Sequence, residues 1–248
     1  TFARALAIAD TVAAIDARAT LLAEIALRQA EADDLPGPHP TLARAIALAR
    51  RIDEPSFRFG ALAEIAAVQA RVGDPEGALA TAGMIVSASQ TGSVPRRGAA
   101  RAEAIDAAGF RAEALAGIGA AQLLAADRAG ALASFAAAVR SLERGALPGQ
   151  RAIVLLDIAA GQAKAGDVAA ARTTIERIGE AGPAAAPRHA IDGIRATAIG
   201  EVATAQAEVG DIAGALASAG TIGEPWQRAT TLARIASIVA RSEPGARR

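Results

Sequence analysis

Apolar and polar positions along this chain follow a helical rhythm that restarts again and again. An Arg is followed four residues later by Leu or Ile, at seven by Ile or Val, and at eleven by Gln. At about 100° per residue these offsets fall on one stripe of a helix, here called helix A. In the stretch Arg58–Ala78 the stripe is Arg58, Leu62, Ile65 and Gln69. Gly73 then suits a left-handed helix end, Asp74 an N-cap and Pro75 the first position of a second helix, helix B. Helix B is expected to pack through Ala78, Leu79, Ala82 and Ile85. A two-residue joint folds the pair into an antiparallel hairpin.

The pattern recurs from Arg18, Arg58, Arg111, Arg151 and Arg195, with Gln29, Gln69, Gln122, Gln162 and Gln206 in step, and starts again at Arg228. A fixed period of this size is the mark of a stacked-repeat protein. The spacing between repeats varies, which predicts insertions at three joints. One lies inside the first hairpin around Leu35-Pro36-Gly37-Pro38-His39-Pro40, one between units from about Thr91 to Phe110, and one at Ala181–Pro187. Longer helices and neutral length drift are expected there ahead of binding loops. Ala5, Leu6, Ala9 and Val12 match helix B, so the chain is expected to begin mid-repeat, as the C-terminal part of a longer protein. Arg228–Ala240 matches helix A alone, with Arg234, Ser237 and Arg241 as the polar outer face of a capping helix.

The run Ile65-Ala66-x-x-Gln69-x-x-x-Gly73-Asp74-x-x-x-Ala78-Leu79 resembles the tetratricopeptide-repeat family over most of the chain, with Leu62 and Gln69 where that family carries bulky aromatics. The resemblance implies an all-α protein, a right-handed α-solenoid of about five hairpins. Residues 1–248 would form one array: a helix B at 1–17, repeats starting near 18, 58, 95, 148 and 188, and a cap at 225–241. It also implies a concave groove lined by helix A. The groove candidates are Leu27, Glu31, Ala63, Ala67, Arg71, Ala116, Ala120, Leu123, Leu124, Leu156, Ala160, Lys164, Thr204 and Glu208. That lining is small and mostly apolar, and suits an extended or helical apolar segment of a partner protein.

Composition supports helices and narrows function. Ala fills 72 of 248 positions and aromatics only 2%, which favours closely packed helices. Lys164 is the sole Lys among 26 basic residues, a codon bias of a GC-rich, bacterial genome. With 26 acidic residues the formal charge is zero, which disfavours nucleic acid as a partner. The cluster Arg96, Arg97, Arg101 and Arg111 is the one feature that favours RNA. No uncharged apolar run spans a bilayer. Cys is absent, so thiol and disulfide chemistry are excluded, and the compartment stays open between cytoplasm and periplasm.

Candidate chemistry is sparse. His39 and His189 stand far apart without further ligands, so no metal or other cofactor is expected. Gly117-Ile118-Gly119 lies mid-helix and reads as close helix packing rather than a phosphate loop. Acidic residues recur six positions after the Arg, as Glu24, Glu64, Asp157 and Glu201, and read as a solvated edge or partners for Arg. The Arg row is expected to pack and pair with the preceding unit. The Gln row is expected to be buried and to bond loop carbonyls or neighbouring Gln. The expected function is a non-enzymatic scaffold that binds a protein or peptide through the groove or the insertions. An accessory region of a larger enzyme or transport assembly is the alternative, and self-association remains open.

Overall fold

The computed structural model describes residues 2–34, 37–86, 97–143, 148–179 and 188–242. All regular structure among them is helical: α1 (Phe2–Ala9), α2 (Ile15–Glu31), α3 (Pro38–Ala49), α4 (Pro55–Arg71), α5 (Pro75–Gly83), α6 (Arg97–Leu124), α7 (Arg128–Glu143), α8 (Pro148–Lys164), α9 (Val168–Gly179), α10 (Arg188–Glu208), α11 (Ile212–Gly220) and α12 (Pro225–Ser242). The helices form two compact units, Thr1–Leu147 and Pro148–Arg248.

In the first unit α2, α4 and α6 lie side by side, each paired with the helix that follows it, while α3 and α5 also lean on the next A helix. The second unit repeats this with α8, α10 and α12 as neighbours, and with α9 and α11 beside α8 and α10. Its core around the last hairpin is Ala203, Ala207, Ala215 and Ala219 against Ile235 and Ile238. Small side chains let the helices approach closely. An added Cβ at Gly117 would stand 3.2 Å from the Ala67 methyl, and one at Gly119 would stand 2.7 Å from the Phe135 ring. The Gly-x-Gly pair is therefore a packing device, as its mid-helix position predicts.

One Asp joins the two helices of a hairpin. In α4 the chain turns through Gly73 at φ +89°, and the Asp74 N–H donates to the Gln69 carbonyl at 2.9 Å. The Asp74 carboxylate then accepts the Gly77 N–H at 2.8 Å and caps α5. This is a Schellman ending fused to an N-cap, so orphan groups of both helix ends find partners within the nine residues Gln69–Gly77. The same backbone bond closes Asp34 on Gln29, Asp127 on Gln122, Asp167 on Gln162 and Asp211 on Gln206.

Two sequence expectations are corrected, and a third reading is met. The first hairpin holds no insertion between its helices: Thr41 of α3 lies 12 residues after Gln29, as Thr81 of α5 lies 12 after Gln69, and both meet that Gln. Pro38, His39 and Pro40 are the first turn of α3, and the extra length appears where α3 runs on to Ala49. Residues 97–110 of the second expected insertion are helical and extend α6 at its N-terminus, which is the longer helix expected there ahead of a binding loop. Leu79 is exposed, and Thr81 takes the inward position on α5. Leu35, Pro36, residues 91–96 and Ala181–Pro187 lie outside the described residues.

Candidate functional site

The five Gln side chains are buried, and their partners differ from those expected. Each Gln carbonyl accepts a hydroxyl 12 residues downstream in its own hairpin: Thr41 to Gln29, Thr81 to Gln69, Ser134 to Gln122, Thr174 to Gln162 and Ser218 to Gln206, at 2.6–2.8 Å. The Gln amide donates to the Asp five residues on, at 3.0 Å for Gln29–Asp34 and 2.9 Å for Gln206–Asp211. Neither loop carbonyls nor neighbouring Gln residues are needed. The triad welds helix A to helix B from within and offers nothing to a ligand.

Gln162 makes no such bond to Asp167, and the reason lies three residues past the Asp. That position is Gly77, Gly130 and Gly214 in three hairpins but Ala170 here. An added Cβ at Gly130 would fall 2.0 Å from the Asp127 carboxylate and 2.5 Å from the Gln122 amide nitrogen. A side chain there displaces the Asp oxygen that receives the Gln. Gly220→Ala, with nothing within 4 Å of the new methyl, is therefore expected to stabilise by about 0.4–1 kcal/mol. Gly130→Ala is expected to give no gain, because the Gln122–Asp127 bond at 3.4 Å is lost. Urea midpoints of the two variants check this; equal gains would refute it.

The Arg row holds the joint before each A helix where partners are visible. Arg18 Nε donates to the Val12 carbonyl at 2.8 Å, and an Arg58 Nη donates to the Ile52 carbonyl at 2.9 Å. Each satisfies a carbonyl six residues upstream, beyond the end of the preceding helix. Arg58 also lies over the Phe59 ring at 5.3 Å. These contacts are the structural role expected of the row.

The exposed face of the A helices centres on offsets 2, 6 and 13 from the Arg, with offset 9 at its partly buried edge and exposed only at Ala120. Ala63, Ala116, Leu27 and Thr204 are buried. Ala67, Leu123, Leu156 and Ala160 are half-buried, and Glu31, Arg71, Ala120, Lys164 and Glu208 are exposed. Leu124 is 85% exposed. Sequence reasoning left the offset-6 row outside the groove, although its recurrence was visible. Glu24 and Glu64 stand on the first unit's face, and Asp157 and Glu201 on the second's. The face is charged rather than mostly apolar.

Some of these charges are paired. Arg28 bonds Glu24 and Glu31, each at 2.8 Å, and Arg71 reaches Glu31 at 4.0 Å across α2 and α4. Arg234 of α12 grips Glu201 of α10 at 2.7 Å, so part of the outer face expected for the cap pairs inward. Glu64 and Asp157 have no cationic partner among the described residues. Partial desolvation pushes both carboxyls above the usual range, and the nearby Glu24 adds to the rise at Glu64. For Glu64 the folded value lies above the unfolded one. Ionisation thus opposes folding, with no penalty below the unfolded range and a growing one as pH rises towards the folded value. Glu64→Gln is expected to raise the melting temperature near neutral pH and to match the parent in acid. Melting curves across pH test this, and a constant offset would overturn it.

Among the described residues no three His, Asp or Glu side chains gather to hold a metal ion. No described helix is long and apolar enough to cross a membrane. Of the basic cluster, Arg96 and the side chains of Arg97 and Arg101 lie outside the described residues.

These features define an all-α protein built from helical hairpins in a repeat-like order. No protein-family model and no curated protein matches the chain. The crystal structure of Ton1535 from Thermococcus onnurineus NA1 aligns with 96% of this chain and 84% of its own, at 13% identity and a TM-score of 0.36.

Proposed function

We propose that this protein is a non-enzymatic scaffold that holds a segment of a partner protein along the exposed face of its A helices. In this reading the hairpins belong to a right-handed solenoid of about five tetratricopeptide-like repeats, with α12 as a cap. The observation that carries it is Glu64 on the first unit's face, a partly desolvated carboxylate with no cationic partner among the described residues; Asp157 is its like on the second unit's own face. Folding gains nothing from leaving them desolvated and unpaired. A partner that brings Lys or Arg to them converts that cost into charge-assisted hydrogen bonds. The occupant is thus a segment with basic side chains, rather than the apolar one expected from the sequence. Co-purification from the native organism, followed by binding assays on the recovered partner, is the test. Glu64→Lys and Asp157→Lys are expected to weaken binding at least about tenfold and to reduce its salt dependence. No stoichiometric partner, or one indifferent to both reversals, would overturn the reading.

A further inference from the structure

A second feature, separate from the exposed A-helix face, lies between α5, α6 and α7. A cavity of about 350 Å³ opens there, lined by Leu79, Ala82, Gly83, Arg111, Leu115, Ala137, Arg140 and Ser141. Its volume is at the lower end of the roughly 300–1,000 Å³ typical of small-molecule clefts. None of its lining residues occupies offsets 2, 6, 9 or 13.

Two departures from the repeat bring its charges together. Arg18 and Arg58 spend their guanidinium groups on a carbonyl six residues upstream. For Arg111 that residue is Ile105, which lies inside the extended α6, where its carbonyl serves the helical ladder. Extension of α6 has removed the usual acceptor, and Arg111 lines the cavity instead. Arg140 belongs to the last turn of α7, which at 16 residues is longer than the nine of α5 and α11. The Ser141 hydroxyl donates to the Ala108 carbonyl at 3.0 Å and pins the α7 extension to the α6 extension. The cavity thus has two Arg side chains with no acidic residue among the described residues of its lining, and apolar walls from Leu79, Ala82, Leu115 and Ala137. The Ser141 donor is already committed, so the walls have little to offer a polar ligand body.

We propose that this cavity binds a carboxylate carried on a short apolar chain, with Arg111 and Arg140 gripping the carboxylate and the leucines enclosing the chain. Guanidinium groups match carboxylate oxygens in charge and fork geometry. The carboxylate has two possible sources, a free organic acid or the C-terminus of a peptide ending in an apolar residue.

Titration calorimetry on the whole chain tests the site, with hexanoate, hexanol, inorganic phosphate and an acetylated tripeptide ending in Leu as probes. Saturable one-to-one binding of hexanoate is expected, with hexanol and phosphate each at least about tenfold weaker. If the source is a peptide terminus, the tripeptide binds at least as tightly as hexanoate; if a free acid, it binds more weakly. Arg140→Gln and Arg111→Gln are each expected to weaken hexanoate at least about tenfold. Gly83→Leu keeps both charges and fills the cavity from a position with no atom within 4 Å of a new Cβ. It is expected to abolish binding with no loss of melting temperature, which separates occlusion from misfolding. Absence of hexanoate binding, equal binding of hexanol, or undiminished binding to the Gly83→Leu variant would overturn the proposal.

Discussion

Phe135→Ala is expected to destabilise the first unit by about 3–5 kcal/mol, the usual cost of deleting a buried aromatic side chain. Phe135 is 1% exposed, in a core otherwise built mainly from Ala, Leu and Ile. Its ring lies so close to α6 that a methyl added at Gly119 would meet three ring carbons at 2.7–2.9 Å. The converse change also costs. Gly119→Ala gains about 1 kcal/mol of helix preference but forces ring and backbone apart, an overpacking penalty of about 1–3 kcal/mol. Adding Phe135→Leu to Gly119→Ala is expected to recover part of the combined loss, because the smaller side chain leaves room for the methyl. Urea unfolding of the three variants measures this coupling. A Gly119→Ala protein as stable as Gly83→Ala would contradict the close approach.

Gln29→Leu is expected to cost about 2–3 kcal/mol, more than the bonds it removes are worth net. Gln29 and Thr41 are 3% and 4% exposed, and the Thr41 hydroxyl donates to the Gln29 carbonyl at 2.7 Å. Leucine leaves that hydroxyl buried without its acceptor and strips Asp34 of the amide at 3.0 Å. Thr41→Val added to Gln29→Leu removes the orphan and replaces both groups with apolar ones of similar shape. The double variant is therefore expected to recover at least about half of the loss. A simple packing role for Gln29 predicts additive losses, so a double-mutant cycle by thermal or urea unfolding separates the two.

Much of the hairpin was legible in the sequence because its signals are local. Gly73, Asp74 and Pro75 announce a helix end, a cap and a new helix without reference to the rest of the chain. The partner of Gln was legible in principle: Thr41, Thr81, Ser134, Thr174 and Ser218 all stand 12 residues after a Gln. The abundance of Ala on helix B masks that regularity, and the Pro-rich run 36–40 resembles an inserted loop although Thr41 keeps the 12-residue register. The long α6 was legible as extra length resolved into a longer helix with a repeat start near 95, although Gly98 and Gly109 lower helix propensity and local signals alone do not account for it. Tertiary contacts hold it instead, with Phe110 tilted against Phe59 at 6.5 Å and Ser141 bonded to Ala108. The exposed face was missed by one position. Offsets 5 and 6 differ by only about 100° around the helix, and packing between A helices decides which one faces solvent.

The Gln–Asp–hydroxyl triads carry a consequence for the history of the chain. Each buried Gln carbonyl finds its hydroxyl 12 residues on, inside its own hairpin; the one bond from a neighbour to these hydroxyls among the described residues is Arg172 to Ser218 at 3.3 Å. A copied or deleted hairpin therefore takes its buried Gln and that Gln's hydroxyl partner along together, and leaves neighbouring hairpins to re-pair only at joint and surface bonds such as Arg58–Ile52 and Arg234–Glu201. Gene duplication can lengthen or shorten such an array without a compensating change. Local closure also favours rapid folding, since each hairpin completes its polar core before distant parts of the chain need to meet.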